Sequence, residues 1–462
     1  MMKENQIDIA ARAADSSPIS ETMESKSLFT RREMLGLAGM AGVAGLTGLT
    51  DLTGMAPDAV GQTAQKRPRI ACLVSYWGLP TSHADWIVNK LIDGYWWKGA
   101  YTPSQVEVVS VYINQLDTSL LGQKVCKAKN IPIFKSVGEA VTLGGSELAV
   151  DGVVIVCEHG NYPTDLKGHW LLPRWWIYQQ VMRVFEQSQR SVPVFNDKHF
   201  SYNWDDAKWM FDKSRELNFA LSGGSSIPLY YRKPPIELAI DTPIKSSIVV
   251  GDAADEGAFF HCADVLQAFH DRRKGGETGI HTVQSIRGPE AWNWVERTPW
   301  AGNLLEAVRK NFDLKPGYFQ AGRQSNLCIV EYRDGTNAAV ISGRGVGWTY
   351  AGDIEGQKDP MIVSMLGWPG PISQFHAANA HEHWLIEMML TGKEQFNAER
   401  LLVSTGIVNN YMDSNWEDGR YSPVGRRIET RFLDMKYRST HGPMFNTGPR
   451  PPDTPYIRGF TT

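Results

Sequence analysis

The first half of the chain alternates short apolar runs with amphipathic stretches. The apolar runs predict strands at residues 69–75, 106–113, 132–134, 151–157, 192–195 and 219–222. The amphipathic stretches predict helices at residues 82–93, 120–129, 175–188 and 205–217. This alternation is typical of βαβ units, which right-handed crossovers build into a doubly wound, parallel, Rossmann-type sheet.

The pattern changes after the paired prolines at 234–235. Longer strands with alternating polar positions are predicted at residues 246–250, 281–286, 327–333, 337–342 and 361–366. Asp334-Gly335 lies between two of them and predicts a hairpin turn. Helices are predicted at 381–390 and from 398 to about 412. We therefore expect an α/β domain followed by an α+β domain with a largely antiparallel open sheet.

These patterns divide the chain into four segments. Residues 1–65 form a leader, 66–235 a Rossmann-type dinucleotide-binding-like domain, and 236–418 an α+β domain for substrate and oligomerisation. A Pro- and Arg-rich tail, residues 419–462, is expected to wrap the surface.

The leader carries an export motif. Arg31-Arg32 precede a weakly apolar run, 35–52, that is rich in Gly and Ala, as in a twin-arginine signal. The run is too short and too rich in glycine for a comfortable membrane span. We expect export to the periplasm or another extracytoplasmic space, with no stable membrane span after processing. The alternative is a leader in which the two arginines occur by chance.

Composition excludes several classes of partner and site. A net charge of -3 over 462 residues argues against nucleic-acid binding, which favours a basic face. Five cysteines without a CxxC motif predict buried thiols rather than a disulfide framework or a zinc site. His381 and His383 diverge on a helix, so these histidines, with His376, predict no metal site.

Four segments follow one another in an order that resembles the Gfo/Idh/MocA oxidoreductase family. They are EHGNYP at 158–163, DKH at 197–199, HCAD at 261–264 and IEMMLTGK at 386–393. The resemblance covers nearly the whole chain after the leader. It implies an NAD- or NADP-dependent oxidoreductase that acts on a sugar or polyol, a small-molecule substrate, in a chain that can form homo-oligomers through the second sheet.

The resemblance also implies where the cofactor and the chemistry lie. Lys198 would sit between nicotinamide and substrate, His261 would accept the proton, and Asp264, one turn on, would face the same side. Lys198 and His261 come from different domains, so the fold should bring them to one cleft, and we expect no packing role for Lys198. The predicted cofactor-binding residues are Ser75, Trp77, Gly78, Ser82, His83, Asn114, Glu158, His159, Asn161 and Asp197.

Three positions depart from the family pattern. The loop after the first strand has one glycine, Gly78, where a glycine-rich loop approaches the pyrophosphate. The second strand ends at Asn114 instead of an acid, and Gly257 stands where an acid usually precedes the helix histidine by four residues. These departures leave two alternatives open: an exported carbohydrate-binding protein that has lost catalysis, or an NAD-dependent glycosidase.

Each candidate has a structural alternative. Lys198 could be a surface lysine at a strand end, and His261 an interdomain packing histidine. The sixteen tryptophans, among them Trp96, Trp97, Trp175, Trp176, Trp292, Trp294 and Trp300, stack on sugar faces or fill the core. The charged segment 272–277 is interpreted as a solvated loop, or as a lid over an acidic substrate.

Replacing Arg31-Arg32 by Lys-Lys should strand the precursor in the cytoplasm, because the export machinery recognises the paired arginines. The measurement is fractionation of cells that express each form, followed by immunoblotting. Appearance of the Lys-Lys form outside the cytoplasm at the normal level would show that residues 1–65 are not a twin-arginine signal.

Overall fold

The computed structural model describes residues 66–78, 82–253, 255–321, 325–365, 377–417 and 422–449. The predicted twin-arginine leader lies outside these residues, so its export function stays a prediction. His376 and residues 450–462 of the tail also lie outside them.

The first domain is built on a parallel sheet of six strands. In chain order the strands are β1 (Arg69–Val74), β2 (Tyr95–Trp97), β3 (Ala100–Thr102), β4 (Glu107–Ile113), β5 (Ile133–Phe134), β6 (Gly152–Val156), β7 (Val194–Asp197) and β8 (Leu221–Gly224). The sheet order is β5-β4-β1-β6-β7-β8, and β2 pairs with β3 in a separate hairpin. The order reverses at β1, as in a doubly wound sheet, which confirms the predicted fold class.

Helices connect these strands, and three of the five begin at a capping side chain. They are α1 (His83–Asp93), α2 (Leu120–Lys129), α3 (Val137–Thr142), α4 (Arg174–Ser188) and α5 (Trp204–Glu216). Ser82 caps α1 by accepting a hydrogen bond from the backbone N–H of Asp85. Asn203 caps α5 in the same way. Capping therefore fixes the start of α1 at the carboxyl edge of the sheet, beside the candidate site.

The second domain contains an eight-stranded mixed sheet. Its strands are β9 (Arg232–Lys233), β10 (Ile244–Gly251), β11 (Ile280–Arg287), β12 (Asn326–Tyr332), β13 (Asn337–Ser342), β14 (Trp348–Ile354), β15 (Met361–Met365) and β16 (Ile428–Glu429). The order is β16-β11-β12-β13-β10-β14-β15-β9, with β10 and β13 parallel and the other neighbours antiparallel. The predicted hairpin forms between β12 and β13, where Gly335 takes a φ of 88°.

Five helices complete the described chain: α6 (Glu256–His270), α7 (Pro289–Arg297), α8 (Pro299–Asn311), α9 (Asn379–Thr391) and α10 (Ala398–Glu417). Helix α10 packs on α5, α6 and β11, so it contacts both domains. Helix α9 was predicted in the second domain, but its Ile386 and Met389 pack in one apolar cluster with Ile70 and Val154 of the first sheet. The chain therefore returns to the first domain after completing the second sheet.

The segment 272–277 is not the solvated loop that its charges suggest. Arg273 and Glu277 are each only 2% exposed, and Arg273 donates hydrogen bonds to both oxygens of Glu277. Arg273 also donates to Asp334 at 2.7 Å. The interpretation was wrong because the partner that buries these charges, Asp334, is remote in sequence. Arg273 and Glu277 therefore form a buried ionic junction, while Lys274 and Gly275 between them are exposed.

The remaining composition-based expectations have mixed outcomes. All five cysteines are buried and unpaired, as predicted. The tail is more than a surface wrap, because Leu433 and Phe445 are buried and β16 pairs with β11. In the part of the chain that the structure describes, no helix has the length and apolarity needed to cross a membrane.

Gly223→Ala should destabilise the protein by about 3 kcal/mol, because a core with no room is overpacked by a single methyl group. The added Cβ would lie 1.9 Å from the carbonyl oxygen of Asn196 on β7. The measurement is the thermal unfolding midpoint. Gly138→Ala, at a helical position with open space around its Cβ, is the control and should leave the midpoint unchanged or raise it. Equal midpoints for the two variants would contradict the close packing of β7 and β8.

Candidate functional site

The candidate site lies at the carboxyl edge of the first sheet, beside the point where β6 and β7 end. Glu158 follows β6, Lys198 follows β7, and both are nearly fully buried. Glu158 Oε1 lies 2.9 Å from Lys198 Nζ, and its Oε2 lies 2.6 Å from a guanidinium nitrogen of Arg174. Burial alone would raise the pKa of Glu158, but Lys198 and Arg174 hold it well below its usual range. The site therefore contains an ionised carboxylate between two cations.

The backbone at both strand ends takes a conformation that side chains rarely adopt. Lys198 has a φ of 60° and His159 a φ of 69°. The backbone N–H of Lys198 donates to the carbonyl of Gly224 on β8 at 3.3 Å, which holds the turn. Non-glycine residues in this region cost free energy and occur most often at functional sites. Both positive-φ residues of the candidate site, His159 and Lys198, carry ionisable side chains.

A second buried carboxylate joins the two domains. Glu256, the first residue of α6, accepts a hydrogen bond from His169 Nδ1 at 2.6 Å and from the backbone N–H of Trp170 at 2.8 Å. His199 Nε2 lies 3.5 Å from Glu256 and 3.4 Å from Arg174. Burial opposes ionisation, but the hydrogen bonds from His169 and His199 lower the pKa of Glu256. A continuous polar chain thus runs from Lys198 to the start of α6.

A cavity of about 200 Å³ lies beside this polar chain, between the first sheet and α6. That volume suits one sugar ring. The lining consists of imidazoles, aromatic rings and a short loop: His83, Trp86, His159, Ser226, Ile227, Tyr230, His261 and Trp348. Lys198 lies behind the lining, close enough to His159 and His261 for its charge to act on both. His261 therefore lines the cavity, and Lys198 lies near enough to influence it electrostatically, while their convergence on one substrate stays a prediction.

His261 is held as a neutral imidazole. Burial first, and the charge of Lys198 second, keep its pKa well below the usual value. Its Nδ1 lies 2.6 Å from Ser225 Oγ, which also accepts a hydrogen bond from the backbone N–H of Ile227 at 3.0 Å. The neighbouring His159 has a pKa lowered to about 4, mainly by burial. Both rings are therefore uncharged near neutral pH.

His83 and Asp197 were both predicted to bind the cofactor, and the structure pairs them with each other. His83 Nδ1 lies 2.6 Å from Asp197 Oδ2. The His83 ring also stacks on Trp86, with centroids 5.0 Å apart. The imidazole is consequently fixed at the cavity wall by one hydrogen bond and one ring contact.

Asp264, predicted to be catalytic, is not among the residues that line the cavity, although it contacts the same residue as His261, Ser225. It is fully buried and accepts hydrogen bonds from the backbone N–H of Ser225 at 2.9 Å and from Ser404 Oγ at 3.2 Å. Arg400 of α10 lies 3.4 Å away. In an α-helix, residues three positions apart project in directions that differ by about 60° around the helix axis. Because of this difference, Asp264 contacts α10 rather than the cavity. Asp264 anchors the loop that carries Ser225.

The expectation that Lys198 has no packing role was also wrong. Its side chain is buried and neutralises Glu158, so its removal changes the charge balance of the interior as well as the site. Burial arises because the segments after β6 and β7 lie side by side beneath α6, which a strand-end lysine in the sequence does not reveal.

Hydrogen bonds between protein groups cross the crevice in which the dinucleotide was predicted to bind. Ser75 Oγ donates to the carbonyl of His159 at 2.9 Å. Tyr162 OH donates to the side-chain oxygen of Asn114 at 2.7 Å. Gln115 bonds to both the backbone N–H and the carbonyl of Asn161, each at 2.9 Å. The loops after β1, β4 and β6 are thereby tied together across the crevice.

The segment predicted to approach the pyrophosphate is partly core. Trp77 is fully buried, and a Cβ added at Gly122 would lie 2.9 Å from the Trp77 Cβ. The indole N–H of Trp77 has no partner among the described residues. Gly78 lies beside Tyr76, Ser82 caps α1, and residues 79–81 lie outside the described chain.

The two ends of the predicted site differ in whether their residues are free to contact a nicotinamide dinucleotide. At the reactive end the residues fit, because His159 Nδ1 is buried without a partner among the described residues, beside Lys198 and His261. At the nucleotide end the residues fit only if the Gln115–Asn161 pair separates, since Asn114 and Asn161 are otherwise engaged by the chain itself.

Sequence reasoning missed residues that only tertiary contact brings to the site: Trp86, Arg174, Ser225, Tyr230 and Trp348. None of the seven tryptophans singled out from the sequence belongs to the described lining. The one available signal was the position of Trp86, one turn after His83 on a predicted helix.

Solved structures with a related architecture are inositol dehydrogenases. A myo-inositol dehydrogenase of Lactobacillus casei in complex with NAD(H) and myo-inositol has a TM-score of 0.49 and 9% identity, covering 79% of this chain and 97% of that one. An apo scyllo-inositol dehydrogenase of the same species gives 0.46 and 14%, with coverages of 75% and 96%. A myo-inositol 2-dehydrogenase of Lactobacillus plantarum gives 0.47 and 10%, with 79% and 99%.

The architecture of this chain is established by its own strand order. No family model and no curated protein sequence matches the chain.

Glu158→Gln should lower the free energy of unfolding by about 3 kcal/mol, because it leaves the buried cations Lys198 and Arg174 without a carboxylate. Gly257→Asp in that background should restore part of the loss. A Cβ at position 257 lies 3.5 Å from Lys198 Nζ and 3.4 Å from Glu158 Oε1, so a carboxylate fits there once Glu158 is neutral. The measurement is denaturant unfolding of each variant.

Two comparisons make this test specific. Gly257→Asp alone should destabilise the protein, because it places two carboxylates together. Glu158→Gln with Gly138→Asp adds an acid at an open helical position far along the chain and should give no recovery. If Gly257→Asp adds no stability to the Glu158→Gln variant, pairing of Lys198 with a carboxylate does not stabilise the fold.

Proposed function

We propose that the protein is an exported NAD- or NADP-dependent oxidoreductase that acts on a sugar or polyol. One observation carries the proposal: His261 from the second domain and His159 from the first line a single cavity of about 200 Å³, and the charge of Lys198, behind the lining, acts on both rings. Trp86 and Trp348 on the walls offer aromatic faces of the kind that pack on the apolar face of a sugar ring. NAD(H) and myo-inositol in the Lactobacillus casei complex are ligands of the same classes.

His261 would accept the proton of the substrate hydroxyl. An imidazole can accept a proton only in its uncharged form. The low pKa of His261 keeps the ring in that form at physiological pH. Its Nδ1 is tied to Ser225, so the nitrogen left for the substrate is Nε2. The ring is therefore oriented before the substrate arrives.

Lys198 would stabilise the negative charge that develops on the substrate oxygen. Its ammonium has three N–H groups and uses one on Glu158, so others remain for an oxygen in the cavity. Glu158 and Arg174 hold the ammonium in place, and burial excludes competing water. A nicotinamide, when bound, would be held by the 158–162 loop and Lys198 and would supply the hydride acceptor.

The Gln115–Asn161 pair favours one alternative, a carbohydrate-binding protein that does not use a dinucleotide. Both hydrogen bonds of the pair close the crevice in which a nucleotide would lie. Native mass spectrometry for a retained dinucleotide, followed by titration of the stripped protein with NAD and NADP, separates the two functions. Absence of saturable binding at millimolar concentration would favour the binding protein.

His261→Asn should lower kcat/KM by about 100-fold or more, because general-base catalysis contributes on that scale. Asparagine keeps a polar group beside Ser225, so the thermal midpoint should change little. Lys198→Met should also lower kcat/KM, with a larger stability cost because Glu158 loses one of its two cations. The measurement is reduction of NAD or NADP with a panel of polyols, beginning with myo-inositol.

The pH dependence tests the assignment of the base. The pKa of His261 is depressed well below 6.5, so its base form persists as the pH falls. The wild-type kcat/KM should stay level down to about pH 5.5, whereas an ordinary histidine base would have lost most of its activity there. Half-maximal activity near pH 6.5 would contradict His261 as the base.

A further inference from the structure

Two imidazoles at the cavity are held by partners of different hydrogen-bonding character. His83 Nδ1 is bonded to a carboxylate, Asp197, whereas His261 Nδ1 is bonded to a hydroxyl, Ser225. An ionised carboxylate only accepts hydrogen bonds, but a hydroxyl can accept or donate. The two rings are therefore prepared for different tasks at the same cavity.

The carboxylate fixes which nitrogen of His83 carries a hydrogen. Burial would raise the pKa of Asp197, but the contact with His83 lowers it, so Asp197 remains an acceptor. Its partner Nδ1, 2.6 Å away, must then carry the hydrogen, so that the neutral form of the ring has its lone pair on Nε2 and can act as a base. His83 is 8% exposed and lines the cavity. Its ring is held in place by stacking on Trp86.

The hydroxyl allows His261 to donate. Ser225 Oγ already accepts from the N–H of Ile227 at 3.0 Å, so its own hydrogen can turn towards His261 Nδ1. In that arrangement Nε2 of His261 carries the hydrogen and points a neutral donor at the cavity. A neutral imidazole donor paired with a separate base is an arrangement that polarises a carbonyl while a neighbouring C–H is deprotonated.

We propose that His83, positioned by Asp197, is a second proton-transfer residue that enolises a polyhydroxy ketone bound in the cavity. The C–H bond next to the carbonyl breaks, and its proton moves to His83 Nε2. The released electron pair forms the carbon–carbon double bond, and the carbonyl pair moves onto oxygen, which receives the His261 hydrogen bond. Return of a proton to carbon completes the cycle without an oxidant or a cofactor.

This inference rests on the proposed function in one respect, since such a ketone is the product of polyol oxidation. Its chemistry is nevertheless independent of hydride transfer. Proton exchange needs only the ketone, the base and the donor, and all the protein groups involved belong to this chain.

The test is proton exchange in heavy water by the dinucleotide-free protein. Each of three ketones, scyllo-inosose, dihydroxyacetone and D-fructose, is added at saturating concentration, and proton NMR follows the signals next to the carbonyl. We expect the wild type to accelerate exchange of at least one ketone, and His83→Asn to slow that exchange by about 100-fold. His383→Asn is the matched control, because His383 stacks on Trp97 outside the described lining and its loss should change nothing.

Asp197→Asn tests the positioning role and covers the case in which the His83 variant fails to fold. An amide at 197 no longer requires the hydrogen to sit on Nδ1, so exchange should slow and its pH profile should change. The other ionisable groups that act on His83 are Glu158, His159, His261 and His381, and the variant leaves all of them in place. A lower thermal midpoint with an unchanged pH profile would mean that Asp197 is only structural and would overturn its role.

Two further outcomes decide the proposal. Exchange that is as fast in His83→Asn as in the wild type, or no exchange of any of the three ketones by the wild type, would overturn it. Hydride transfer is measured separately with NAD or NADP and a polyol. His83-dependent exchange in a wild type that reduces neither dinucleotide would refute the proposed oxidation and support the enolisation.

Discussion

The site depends on the neutralisation of two buried carboxylates. Glu158 and Glu256 are each 3% exposed, and an unpaired carboxylate at such a depth would cost several kcal/mol. Lys198 and Arg174 neutralise the first, while His169 and His199 bond or approach the second. Because Glu256 begins α6 and its partners belong to the first domain, satisfying this carboxylate fixes α6 against the first sheet. That constraint also sets the position of His261, one turn and a half along α6.

Helix α10 makes the same junction rigid from the other side. It packs on α5 of the first domain and on α6 and β11 of the second. Its Ser404 and Arg400 engage Asp264, while His261, on another face of α6, meets the cavity. One helix thus carries both an anchor and a chemical group, and the anchor holds the Ser225 loop on which the orientation of His261 depends.

The sequence predicted local structure. Apolar runs located the strands, and Asp334-Gly335 located a hairpin. Glu158 and Lys198 were each placed after a strand, and they meet because neighbouring parallel strands end at one edge of the sheet, but their ion pair was not predicted. The sequence could not predict contacts between remote segments. Trp348 reaches the cavity from β14, and Asp334 is bonded to Arg273, which lies 61 residues away in the sequence. Neither contact can be predicted from the spacing of apolar residues along the chain. Asp264 was misplaced because spacing along a helix does not determine which neighbour each face meets.

The nucleotide crevice combines a fixed part with a part that can open. Trp77 is fully buried in the apolar cluster of the first sheet, and moving it would expose a large ring to water. The Gln115–Asn161 hydrogen bonds lie at the exposed rim, where water can replace each of them at a net cost of about 1 kcal/mol. Entry of a nucleotide is therefore governed by the rim rather than by the core.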